Sequence, residues 1–362
     1  MKLMQKQIYK LDFSGKDIYA GIDAHLKSWT VSIMVEGVLC KTFSQNSNAM
    51  ELKTYLKNNY PNGNYHSAYE AGFCGFGPHR DLVNYGIHNI VVNPADIPTT
   101  NKEKDQKDDA RDSKKIVRSL HNKELDAIYV PSTKVESLRE LVRYRKTIVK
   151  EINRYKYRTK SFIYRNNIKI PLELSSGSKH WSKRYSSWLK SLRFQTEYSR
   201  ETLGSIINTV EHLRKELLAV NRILRKLEKE GDYSETILLL RTIPGIGLIM
   251  AMTIITELED IQRFKNIDKL CAYVGIVPST SSSGEKEKVG SITKRSNRQL
   301  RNMLIESAWI AIRHDPALMM KYGELKQRME GSKAIVKIAR KLLNRIKHVL
   351  VTKEPYVQGV VK

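Results

Sequence analysis

Polar and apolar positions alternate through the first ninety or so residues instead of recurring at helical spacing. Asp17–Ala24, Ser28–Val35 and Val38–Phe43 carry β-branched or apolar residues in alternation or short runs, which predicts three successive strands. The pattern then predicts a helix over Asn48–Asn59 and a strand over His66–Glu70. A Gly-rich turn at Ala71–Gly77, a short helix and a strand over Ile87–Val92 follow, closed by Asn93-Pro94. Strands in a meander, then strands alternating with helices, predict a mixed sheet covered by helices.

From about residue 132 the period becomes helical. Leu138, Leu141, Ile148, Ile152, Tyr155 and Phe162 lie on a heptad stripe broken at Arg145 and Thr159, which predicts one long helix over 132–166. A second helix over 202–230 repeats the stripe without a break: Leu203, Ile206, Val210, Leu213, Leu217, Val220, Leu224 and Leu227. Four heptads of such positions predict a coiled-coil hairpin. The segment between, rich in Ser, Lys and aromatics, is either a cap on that hairpin or a small helical insert. A third, mainly α-helical piece opens with Ile243-Pro244-Gly245-Ile246-Gly247 and ends in a basic amphipathic helix near Ala334–Val351. The expected domains are 13–130 (α/β), 131–232 (hairpin, with an insert at 166–200) and 233–351.

Charge adds a partner to this outline. There are 63 Lys and Arg against 38 Asp and Glu in 362 residues, a formal net charge of +25. Such an excess predicts attraction to a polyanion, and phosphate neutralisation by Lys and Arg dominates nucleic-acid affinity. Between Arg139 and Arg165 ten bases face two acids, with Tyr144, Tyr155, Tyr157 and Tyr164 interleaved. Arg143, Lys146, Lys150 and Arg154 on this helix are therefore candidate nucleic-acid contacts. No apolar run approaches the roughly 20 residues of a membrane span, and the amino terminus lacks the apolar stretch of a signal peptide. Cys40, Cys74 and Cys271 are scattered, with neither disulfide nor zinc spacing. The expectation is a reduced, cytoplasmic, nucleoid-associated protein with no membrane partner.

Four carboxylates supply candidate chemistry. Asp23 and Glu70 each end a predicted strand, and Asp109 and Asp112 are three apart where a helix opens, which puts them on one helix face. Gathering acids in a basic protein suits a hard divalent cation such as Mg²⁺, which bridges carboxylates to substrate phosphate. Each acid also has a plainer use: Asp109 and Asp112 suit a helix cap and first turn, and Asp105 and Asp108 compete for the same roles.

A second constellation lies downstream. The Ile-Pro-Gly-Ile-Gly stretch resembles a helix-hairpin-helix turn, whose glycines let backbone N–H groups approach phosphate, and it equally suits a tight turn before a buried helix. The run Ser279-Thr280-Ser281-Ser282-Ser283-Gly284 reads as a flexible loop. A Ser in such a loop, flanked by Lys294, Arg295, Arg298 and Arg301, is a candidate nucleophile toward a phosphodiester. Its ester would store the bond and permit rejoining without ATP.

With these residues in place the chain, over roughly 15–350, resembles the DEDD transposases of the insertion-sequence IS110 family, known as bridge-RNA-guided serine recombinases. The resemblance rests on Asp23, Glu70 and Asp109-Ala110-Arg111-Asp112-Ser113-Lys114-Lys115. It rests also on the Ile-Pro-Gly-Ile-Gly turn, Tyr273-Val274-Gly275-Ile276-Val277-Pro278, the Ser283-Gly284 pair, Ile292-Thr293-Lys294 and Leu300-Arg301. It implies an RNase H/RuvC-like first domain whose four acids are catalytic and hold Mg²⁺, and a C-terminal transposase domain. It implies Ser283 as the nucleophile, with Ser282 its neighbour in the run. It further implies donor and target DNA as substrates, a noncoding bridge RNA, and a dimer or tetramer that brings the acids of one subunit to the serine of another. The usual Gly after the downstream Lys is replaced here by Arg295-Ser296-Asn297. Two other readings fit the same residues: a RuvC-like hydrolytic nuclease resolving DNA junctions with water as nucleophile, and a non-catalytic scaffold whose acids are caps.

Overall fold

A computed structural model describes residues 12–99, 108–175, 181–283, 286–293 and 296–358. Contacts divide the chain into two units, one ending at Pro131 and one beginning at Ser132.

The first unit is built on a five-stranded sheet in the order β3-β2-β1-β4-β5. β1 (Asp17–Ala24), β2 (Ser28–Val35) and β3 (Val38–Asn46) form an antiparallel meander; β4 (Asn64–Glu70) and β5 (His88–Val92) then add in parallel beside β1. Alternation sorts the two faces. Ile18, Ala20 and Ile22 of β1 with Val31, Ile33 and Tyr69 form one core with Leu52 and Leu56 of α1 (Ala49–Asn59) and Leu82 of α2 (Gly77–Asn84). The opposite face, which carries Ala68, packs against Ile116 of α3 (Asp109–His121). α1 starts where Asn48 accepts hydrogen bonds from the amides of Met50 and Glu51, a side-chain N-cap.

The second unit is helical apart from one hairpin. α4 (Thr133–Arg165) and α6 (Glu197–Glu230) lie antiparallel along each other, and α5 (Lys183–Ser191) packs across their far end. There Phe162, Trp181, Tyr185, Leu189, Leu203 and Ile207 make a separate cluster, so the aromatic insert caps the hairpin. The two breaks in the α4 stripe are filled within this packing. Arg145 Nε donates to Asn221 Oδ1 of α6 at 2.7 Å, and Thr159, fully buried, returns its hydroxyl to Tyr155 O at 2.9 Å. Near residues 206–207 the stripe shifts by one position, since Ile207 is buried and Ile206 is only partly so.

The expected boundary near 232 does not separate two bodies. Val142, Ile148, Ile152, Val220 and Leu224 of the hairpin share one core with α7 (Ser234–Arg241), α8 (Leu248–Leu258), α9 (Ile267–Val274), α10 (Arg298–His314), α11 (Pro316–Lys326) and α12 (Gly331–Thr352). The serine-rich stretch expected as a loop is instead β6 (Pro278–Ser283), paired antiparallel with β7 (Lys286–Ile292). Backbone pairing needs no apolar side chains, so a polar strand of this kind gives no alternation signal. Among the described residues no helix is long and apolar enough to cross a membrane.

The turn between α7 and α8 is fixed from inside. Gly245 has φ +86°, and a Cβ there would lie 2.4 Å from Ser307 O and 3.1 Å from Ala311 N of α10. Ile243 and Ile246 on either side are buried. The structure thus gives Gly245 a packing role, against α10. Replacing it with Ala adds a left-handed penalty to a backbone clash and is expected to destabilise the chain by about 2–4 kcal/mol, read as a lower urea midpoint at unchanged m.

Candidate functional site

β1 and β4 are parallel neighbours with Ile22 opposite Tyr69, so Asp23 and Glu70 occupy the next position on each strand. Counting by two from Gly21 and Ala68 puts both on the face that α3 covers. α3 crosses there at very short range: a Cβ on Gly21 would stand 2.3 Å from Ser113 O and 2.4 Å from Val117 N. Only glycine leaves that space. Ser32 Oγ and Ser113 Oγ, both buried, share a hydrogen bond of 2.8 Å across the same contact. Tyr19, at the start of β1, meets His121, the last residue of α3, edge to face. The helix therefore runs back along β1, and its first turn, with Asp109 and Asp112, comes to the Asp23 end of the strand. Asp108 takes the N-cap position in an extended conformation, and its carbonyl accepts from the amides of Arg111 and Asp112. Asp105 lies outside the described residues.

His25, a residue the sequence reading passed over, stands between two of the acids. Its Nε2 is 3.3 Å from Asp23 Oδ2 and 3.5 Å from Asp109 Oδ1, and one ligand atom from each of the three residues falls within 4.8 Å of the others. Its position two residues past Asp23 was the available clue. Burial raises the Asp23 carboxyl above its ordinary value, and the Asp109 and Asp112 carboxylates push the same way against a lowering by His25. Asp112 is held by Lys115 Nζ at 3.0 Å. Glu70 is half-buried at the end of β4. The group brought together is two carboxylates and an imidazole, donors able to hold a divalent cation, with Asp112 acting on Asp23 by charge and Glu70 outside the group.

The second unit carries the other predicted residues. Ser282 and Ser283 end β6, and Lys294 and Arg295 lie outside the described residues. Arg298, exposed, opens α10. Arg301 requires a correction: it is 8% exposed and its Nη1 donates to Thr293 O at 2.7 Å and Gly275 O at 3.3 Å, bracing the root of the β6–β7 hairpin from inside. Charge was visible in the sequence and burial was not.

Arg143 is exposed but holds a partner within the fold. Its Nε and Nη2 both donate to Glu257 at 2.8 Å, a two-point pair with a carboxylate that is 1% exposed. Asn297 Nδ2 donates to the same carboxylate at 2.7 Å, and Arg139 Nε donates to Thr256 O at 2.7 Å. Part of the basic excess of α4 thus serves the fold. Lys150 and Arg154 are exposed, Arg154 beside Glu151 at 3.6 Å. Lys146 is half-buried, and burial together with Lys150 pushes its ammonium down.

Comparison with known proteins joins these parts. Residues 20–165 match a family model for DEDD transposases of the IS110 type, described as "Transposase", and residues 238–324 match one described as "Transposase IS116/IS110/IS902 family". A putative transposase, y4qE, of Sinorhizobium fredii is 30% identical over 278 residues, covering 77% of this chain and 66% of that protein. The transposase for insertion sequence element IS1533 of Leptospira borgpetersenii is 24% identical over 305 residues, 81% of this chain and 85% of that protein. The transposase for IS1111A of Coxiella burnetii is 23% identical, over 67% of this chain and 65% of that one.

The raised Asp23 gives a stability prediction. The carboxyl is ordinarily half-ionised near pH 3.8. A folded-state value above that favours folding when the group is neutral, a contribution present below pH 3.8 and lost as pH rises through the folded value. At pH 7 without divalent metal, Asp23→Asn is therefore expected to raise Tm, by about 1–4 °C. Adding Mg²⁺ should raise the wild-type Tm and leave that of Asp23→Asn nearly fixed; differential scanning fluorimetry with and without chelator reads both.

Proposed function

Since the chain belongs to the IS110-type DEDD transposase family, we propose that it moves its insertion sequence by cutting and rejoining DNA through a covalent ester at Ser283. The observation that carries the reading is the meeting of the Asp23 end of β1 with the first turn of α3, beside the end of β4. Asp23, Glu70, Asp109 and Asp112 would hold Mg²⁺. Bound there, the ion supplies charge neutralisation at the phosphate under attack. The protein's own residues do the rest.

Ser283 Oγ attacks phosphorus, the Ser283 proton is taken up by a base, and one DNA P–O bond breaks to leave a hydroxyl end. Rejoining runs the same exchange in reverse with a hydroxyl of the new partner strand, so no ATP is needed. Arg298, exposed at the start of α10, would contact phosphate. A noncoding bridge RNA selects donor and target, held with the DNA by the exposed bases of α4, among them Lys150 and Arg154. The α4–α6 hairpin acts as a coiled coil that pairs subunits, a role favoured by Leu218 and Ile223, 56% and 48% exposed on α6.

Ser283→Ala is expected to abolish both strand transfer and the protein–DNA adduct seen on denaturing gels, while Ser282→Ala keeps them. Asp23→Ala should lose cleavage and retain DNA binding. If Ser283→Ala still cuts DNA at the wild-type rate and Asp23→Ala does not, the enzyme is a hydrolytic nuclease using water. Sequencing RNA that copurifies from the native host tests the guide: a single structured RNA encoded beside the gene is the expected result.

A further inference from the structure

The C-terminal unit contains a cavity of about 1030 Å³ between α12 and the root of the β6–β7 hairpin, to which no step above assigns a role. Its floor is aliphatic, including Ile276, Pro278, Ile292 and Val336. Its rim is cationic. Lys333, Lys337 and Lys341 repeat every four residues along the exposed side of α12, and among the described residues none lining the cavity is acidic. Three of the cations at the edge are already paired, Lys333 with Glu330, Arg340 with Asp268 and Arg345 with Asp315. Lys337 and Lys341 make no ion pair among the described residues.

We propose that this cavity binds a single-stranded segment of nucleic acid, with one or two unstacked bases against the aliphatic floor and their phosphates on Lys337 and Lys341. Charge complementarity selects the occupant. A rim left net positive by Lys337 and Lys341 takes a polyanion, and a floor too apolar for phosphate takes the uncharged part of the same molecule. Bases drawn out of a helix are held between apolar side chains in pockets of this kind. Duplex DNA presents phosphates without free bases and would leave the floor unfilled.

Position gives the site its use. Pro278 and Ile292, both in the cavity wall, are paired at the hairpin root, and Ser283 ends the strand that Pro278 begins. Five strand positions span about 17 Å at roughly 3.3–3.4 Å each. That equals about five nucleotides of a stacked strand at ~3.4 Å each, and fewer if the strand is extended. The bases held here would thus flank the broken bond and keep the strand from re-pairing. This spacing rests on Ser283 as the nucleophile; the cavity itself does not.

The test uses the full chain and a fluorescein-labelled 12-nucleotide DNA strand in anisotropy titrations over a range of NaCl. Lys337→Glu/Lys341→Glu is expected to weaken binding about tenfold or more, and to flatten the salt dependence by about 1.4, for two phosphate contacts on a single strand. Lys215→Glu/Lys229→Glu on α6 makes the same change in net charge and should cost less than about twofold, the loss expected from net charge alone. Val336→Trp fills the floor. It should weaken the ordinary strand and leave an abasic strand of equal length unchanged, with Tm confirming that each variant is folded. The proposal is overturned if the α12 and α6 charge reversals weaken binding equally, or if Val336→Trp affects ordinary and abasic strands alike. It is also overturned if an acidic peptide competes and the strand does not bind at the cavity. Ser283→Ala should bind the strand as wild type does. A surviving adduct in that variant would sink the serine reading and leave the binding result standing.

Discussion

A carboxylate taken out of water costs several kcal/mol unless its charge is met at close range with its lone pairs satisfied. Glu257 sits near the end of an almost wholly apolar helix, 1% exposed, and imposes that requirement on everything around it. Arg143 answers it with two parallel hydrogen bonds and Asn297 with a third. Each partner has a second duty. Asn297 caps α10 by accepting from the Leu300 amide, and its own amide donates to Tyr273 O. The Tyr273 hydroxyl closes the circuit on Glu257 O. One turn along α10, Arg301 ties the carbonyls of Gly275 and Thr293 at the two strands' root. Through this chain of satisfied groups the long basic helix, the core helix and the serine-bearing hairpin are fixed to one another. Losing Glu257 would strand Arg143 and free the cap.

The first unit solves a different problem, how to hold like charges close. Three small residues, Gly21, Ser32 and Ser113, let α3 lie nearly on the sheet, and that contact carries Asp109 and Asp112 to Asp23. Repulsion among the acids and burial of Asp23 oppose the arrangement. The apolar contacts of Ile116 with Ala68 and Val92 on the same face hold it together. Apolar packing thus offsets the unfavourable electrostatics at Asp23.

Much of this was legible in the residues. The β-branched and apolar runs located β1 and β2 to the residue, because both lie between helices and have ends marked by turns. The strand-end position of Asp23 and the placement of Asp109 at a helix start pointed to two residues that lie together, while their neighbour His25 went unread. Three things were hidden, each for a physical reason. The β6–β7 hairpin pairs through backbone groups, so a run of serines carried no trace of it. Arg301 looked like surface charge, and Arg143, which is exposed, gave no sign of its pairing with Glu257, because sequence shows a cation and not its neighbours. The boundary near 232 dissolved because the stripe on α6 that faces α4 also reaches the C-terminal core through Val220 and Leu224.

The hydrogen bond between Arg145 and Asn221 has a mechanical consequence. It sets a polar layer in an otherwise apolar seam, and sliding either helix by a turn would press the guanidinium against hydrocarbon. The pair favours one register of the hairpin. With α4 running 33 residues, about 50 Å at 1.5 Å per residue, the aromatic cap at its tip is held at a set distance from the core.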